Sequence, residues 1–128
     1  MTSLNASPRA QQLAQLAAEA ADDKGALDPV ALDVTGPLPL TDIFLLLTGR
    51  TERNVLAIAD AIEERLSDDG AKPLRREGRS EGRWVLIDFG DLVVHVFHEE
   101  DRAYYSLERL WKDCPVVPIS LPAAASRD

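Results

Sequence analysis

The chain has 128 residues, 45% hydrophobic and 28% charged, values that suit one globular core and leave no room for a second domain. A formal charge of −8 disfavours non-specific binding to nucleic acid or anionic lipid and favours a basic partner. The single cysteine, Cys114, excludes an internal disulfide and a Cys-x-x-Cys metal site. No apolar run approaches the ~20 residues of a membrane helix and no signal-peptide pattern opens the chain, so a cytoplasmic protein is expected.

In chain order, a helix is predicted from Pro8 to Asp23, with Pro8 just inside its start and Gly25 just past its end. Leu13, Leu16, Ala17 and Ala20 form its apolar stripe, shallow and alanine-rich, and it is expected to dock on its own domain. Val30–Val34 alternates as a strand, and the prolines of the GPLPL segment force a connection after it. Ile43–Leu47, bounded by Pro39 and Gly49, reads as a strand buried on both faces. Thr51 can cap a second helix running to Asp68, whose inward stripe is Val55, Ile58, Ala59, Ile62 and Leu66. Pro73–Glu77 suggests a short edge strand, and Gly78–Gly82 a polar loop.

Two apolar runs, Trp84–Phe89 and Leu92–Phe97, meet at Gly90 and Asp91 and predict an antiparallel hairpin. Alternation puts Trp84, Leu86 and Asp88 on one face, and Val85, Ile87 and Phe89 on the other. Both faces are mostly apolar, so the sheet is expected to be covered on both sides. A helix should start at Glu99, its acidic first turn complementing the dipole, with Leu107, Leu110 and Trp111 continuing it. Residues 1–114 then make one domain and 115–128 an irregular tail. The predicted fold is α/β, a mixed sheet with helices packed on it in the order α-β-β-α-β-β-β-α.

Chemical motifs are sparse. The triplet Asp88-Phe89-Gly90 lacks the other kinase segments, and His95 and His98 point to opposite faces of one strand, so neither suggests a metal site. Each histidine reads as a sheet or surface residue. No catalytic residue and no cofactor is expected. The segment LLLTGRTERN runs a strand through Gly49 into a helix N-terminus, where an anion can bind. A magnesium-dependent nucleotidyltransferase using Asp42, Asp88 or Asp91 is therefore one alternative, although such an enzyme needs its carboxylates to converge there. Pro73, Arg75, Arg76, Glu77, Arg79, Arg83 and Trp84 form the last constellation. Arginine and tryptophan are enriched at protein–protein hot spots and also stack on RNA, while a buried Trp84 beside a solvated arginine loop is the plain alternative.

Three pieces carry a resemblance: ALDVTGPLPLTDIFLLLTG, RTERNVLAIADAIEERL and PLRREGRSEGRWVLIDFGDLVVHVFHEEDRAYYSLERLW. Together they resemble the ribosomal silencing factor family, the Iojap-like proteins, over about Val30 to Trp111. The run from Phe44 to Leu47 and the alanine-rich first helix depart mildly from the family pattern, and the proline-bearing tail lies outside the resemblance. The resemblance implies a nucleotidyltransferase-like fold without transfer activity. It also implies binding to the large ribosomal subunit through its fourteenth ribosomal protein, a basic protein at the intersubunit face. That would block subunit joining and repress translation, with a further role in large-subunit maturation. Its tryptophan and preceding glutamate correspond to Trp84 and Glu77, with Asp88 on the face of Trp84 and Pro73 nearby. Arg76, Arg79 and Arg83 are candidate secondary contacts, neighbouring ribosomal RNA is a second candidate partner, and a homodimer is left open. This reading requires the Trp84 face to be at least partly uncovered.

Overall fold

Apolar runs rich in leucine and β-branched residues become the middle of a sheet, and the two long helical repeats cover one side of it. The computed structural model describes residues 4–105, 109 and 111–121. It contains helices α1 (Pro8–Asp23), α2 (Glu52–Asp68) and α3 (Glu99–Tyr105). Its strands are β1 (Leu27–Asp33), β2 (Ile43–Gly49), β3 (Arg75–Glu77), β4 (Trp84–Asp88), β5 (Leu92–His98) and β6 (Val116–Val117). The strands form one sheet in the order β3-β4-β5-β2-β1-β6. Only β2 and β5 pair in parallel; the other neighbours are antiparallel, so the sheet is mixed. Among the described residues no helix is long and apolar enough to cross a membrane.

Both long helices start at a side-chain cap. Ser7 Oγ accepts the Ala10 amide at 3.0 Å, and Thr51 Oγ1 accepts the Asn54 amide at 2.9 Å. Such caps are each worth about 1 kcal/mol. The predicted α2 stripe is the buried one: Val55, Ile58, Ala59, Ile62 and Leu66. On α1 the alanines Ala10, Ala14, Ala17 and Ala21 are fully enclosed, which lets this helix lie close against α2 and the sheet. The core beneath the helices includes Ile43, Leu45, Leu47, Val85, Ile87, Val94 and Val96.

On the opposite face a smaller cluster forms from Leu32, Val34, Leu46 and Phe97, with Phe44, Trp84, Trp111 and Cys114 packed around it. The expectation of a sheet covered on both sides therefore holds only in part. Along β4, Val85 and Ile87 are buried under the helices, whereas Trp84, Leu86 and Asp88 on the other face are half-buried. The strip toward β3 stays open.

Three further expectations shift. Strand β1 begins at Leu27 instead of Val30, because Asp28 adopts φ 50° and the pairing with β2 slips between Leu27 and Val30. That bulge also accommodates Pro29 inside a strand. The tail is not wholly irregular: Val116 and Val117 add strand β6 to β1, opposite Leu32 and Ala31. Trp111 lies in a turn and packs edge-on to Phe44 at 5.8 Å between ring centres. Leu107 and Leu110 fall outside the described residues, as do the side chains of Tyr104 and Tyr105.

Candidate partner-binding surface

Residues directly opposed across strands share a face, so register defines the surface. Glu77 stands opposite Leu86, and Leu86 opposite His95. Arg75 stands opposite Asp88, and Asp88 opposite Val93. Trp84 stands opposite Phe97. The face away from α1 and α2 thus carries Glu77, Trp84 and Asp88 together, as the sequence reading requires. Leu86 and Arg75 extend it. Pro73 precedes the edge strand, beside the β4–β5 turn where the Leu74 amide donates to Asp88 O at 2.7 Å.

Trp84 is held from behind by an aromatic cluster. Its ring lies 5.0 Å from Phe97 at 30°, and its indole N–H donates to His95 Nδ1 at 3.2 Å. Phe44 meets the imidazole edge-on at 4.8 Å. His95 itself is 4% exposed, and burial lowers its pKa to about 4, so the ring is neutral at neutral pH. Asp88 caps the hairpin turn by accepting the Gly90 amide at 2.8 Å. Gly78, at φ +86°, brings the β3–β4 loop onto the backbone of Trp84, where an added Cβ would fall 1.9 Å from its carbonyl oxygen. Sequence reasoning missed His95 as a partner of Trp84, because that pairing exists only once the strands are in register.

The arginines divide. Arg76 pairs with Glu63 of α2 at 2.8 Å and Arg79 with Asp60 at 2.6 Å. Arg76 stands opposite Ile87, on the helix side of the sheet and away from Trp84. Arg83 reaches α3, at 3.0 Å from Glu100 and 2.6 Å from Asp101. Hydrogen bonds to Glu100 and Asp101 raise its pKa above the ordinary arginine value. Arg75 lies 3.2 Å from Glu77. Each cation of the constellation therefore already faces a carboxylate, and no unneutralised basic stripe results.

At the Gly49 turn two of the backbone amides are already taken by side chains. The Arg50 amide donates to Asn54 Oδ1 at 3.0 Å and the Asn54 amide to Thr51 Oγ1. Gly49 is explained by packing instead, since a Cβ there would lie 2.8 Å from Val55 Cγ2. The carboxylates sit elsewhere. Asp42 precedes β2, and its neighbour Asp91 begins the approach to β5, with the Asp42 and Ile43 amides both donating to Asp91 O at 3.0 Å. Seven residue steps along β2 at ~3.3 Å each separate them from the glycine turn, roughly 23 Å in all. The Asp42 carboxylate accepts the Ser7 amide at 2.8 Å.

Comparison with known proteins settles the lineage of this arrangement. The family model described as "Ribosomal silencing factor during starvation" matches residues 7–128. The chain belongs to the ribosomal silencing factor family. The match includes the alanine-rich helix and the tail, both of which extend beyond the Val30–Trp111 resemblance. A ribosomal silencing factor from Halalkalibacterium halodurans is 48% identical over 85% of this chain and 93% of its own length. One from Bacillus subtilis is 43% identical over 85% of this chain and 92% of its own. A crystal structure from Bacillus halodurans superposes with a TM-score of 0.75 at 47% identity, covering 85% of this chain and 99% of the other. The α/β sheet described above is thus also the fold of a solved, closely similar chain.

Proposed function

We propose that this ribosomal silencing factor represses translation without catalysis, in the cytoplasm. It binds the large ribosomal subunit through its fourteenth ribosomal protein and occupies space that the small subunit needs. The observation that carries this reading is the half-buried Trp84 on an open strip of sheet, flanked by Glu77 and Asp88, in a chain of family-wide similarity. Tryptophan supplies a large rigid anchor, and its flank, two carboxylates around the single Arg75 at 3.2 Å from Glu77 and 3.9 Å from Asp88, keeps a net negative charge that suits a basic protein partner. The net charge of −8 steers approach to such a partner over longer range.

Blocking needs affinity and position, not bond making. The separation of Asp42 and Asp91 from the Gly49 turn favours this role over a magnesium-dependent nucleotidyltransferase, which needs its carboxylates beside the bound phosphates. Neutralised arginines likewise favour a protein-led contact over direct RNA binding. Truncating a central tryptophan anchor costs roughly 2–4 kcal/mol, about 30- to 900-fold in affinity. A pull-down of large subunits by folded Trp84→Ala should fail at concentrations where the wild type saturates. Undiminished capture would sink the assignment.

A further inference from the structure

The cluster behind Trp84 contains one feature that packing alone does not call for. His95 sits in the second row of the sheet, opposite Leu86, enclosed by Phe44, Trp84 and Phe97. Its Nδ1 accepts the indole N–H of Trp84, so its own proton resides on Nε2. That Nε2 is buried and has no hydrogen-bond partner among the described residues. A buried donor without an acceptor is costly, and an aliphatic side chain of similar volume would avoid the cost. The fold thus keeps a neutral imidazole, at the expense of one orphaned N–H, at the position that supplies an acceptor to a half-buried tryptophan. Burial lowers the pKa of His95 to about 4, which preserves that acceptor at neutral pH.

We infer that His95 is a positioning residue for partner binding: its Nδ1 fixes the Trp84 indole in one orientation and satisfies its N–H before docking. An anchor already held in its bound orientation loses less freedom on association, which is the source of the gain. The inference rests on the proposed partner surface, and it concerns the presentation of Trp84, not a direct contact by His95.

Three variants test it, in full-length protein with large ribosomal subunits as the probe. His95→Leu removes the acceptor; His95→Asn places its amide oxygen close to the Nδ1 position. The indole N–H resonance of Trp84, assigned against Trp111→Phe, should move in His95→Leu and stay near its wild-type position in His95→Asn. Affinity for large subunits should fall about tenfold in His95→Leu and remain within about threefold in His95→Asn. If His95→Leu does not fold, His95→Gln, whose amide reaches past the Nδ1 position, takes its place with the same expectations. A folded His95→Leu with a shifted indole resonance and wild-type affinity overturns the inference, and so does a folded His95→Asn that binds as poorly as His95→Leu. Trp84→Ala run in parallel separates the two levels. Its undiminished binding would refute the partner surface itself, whereas its loss beside normal binding by His95→Leu refutes only the positioning role.

Discussion

Acidification should weaken this fold through a single imidazole. His95 is held neutral by burial, with a pKa of about 4 against an ordinary 6.5. The folded-state value is the lower one, so the unfolded chain takes up the proton first as the pH drops. The contribution of His95 is therefore complete above about pH 6.5 and is lost progressively down to about pH 4. Linkage over that shift gives a loss of about 2–2.5 kcal/mol between about pH 7 and about pH 4.5, at a slope approaching 1.4 kcal/mol per pH unit. Asp33 does not blur this window. Its carboxylate accepts four hydrogen bonds, from the Asn5, Ala6 and Thr35 amides and the Thr35 hydroxyl. Burial works against ionisation there, but the Thr35 bonds and those from Ala6 and Asn5 leave the pKa below 3.8, so its contribution is lost only at lower pH. Urea unfolding at half-unit pH steps should show a steep decline for the wild type and a flatter one for His95→Asn. The difference should correspond to about one proton. Parallel stability profiles for the two proteins would refute the reasoning.

Other consequences follow from the same geometry. Gly78→Ala must bear a left-handed φ and a Cβ 1.9 Å from the Trp84 carbonyl, so a urea melt should show at least about 2 kcal/mol lost, with altered tryptophan fluorescence. Asp33→Asn puts an amide NH2 where two donors now point, and should cost about 3 kcal/mol by chemical denaturation. Ile87→Ala opens a cavity in the core under the helices and should cost about 2–5 kcal/mol, while leaving per-molecule affinity of the folded fraction intact. Arg76→Ala with Arg79→Ala removes ion pairs to α2, not contacts to nucleic acid, so the salt dependence of subunit binding should stay unchanged.

Much of this was legible in the sequence because it is local. The period of 3.6 fixed the α2 stripe residue by residue, and alternation separated Val85 and Ile87 from Trp84 and Asp88. Elements defined by distant partners were not legible. Val116–Val117 is a strand only because β1 offers an open edge, and nothing within those two residues announces it. Strand β1 starts early through a bulge at Asp28, a backbone conformation that side-chain patterning does not encode. The surface shows the same split. Glu77, Trp84 and Asp88 fall on one face by counting, but the acceptor behind Trp84 and the carboxylates that neutralise the arginines come from residues far along the chain. The distance from Asp42 to the Gly49 turn was legible as one strand, whereas the place of Asp91 beside Asp42 follows only from the parallel register of β2 and β5.

Co-sedimentation with separated ribosomal subunits tests the central claim most directly, with the wild type and a folded Trp84→Ala side by side. The wild type should pellet with large subunits and not with small ones, and Trp84→Ala should remain in the supernatant. Pelleting with small subunits, with neither, or equally well without the Trp84 indole would contradict it.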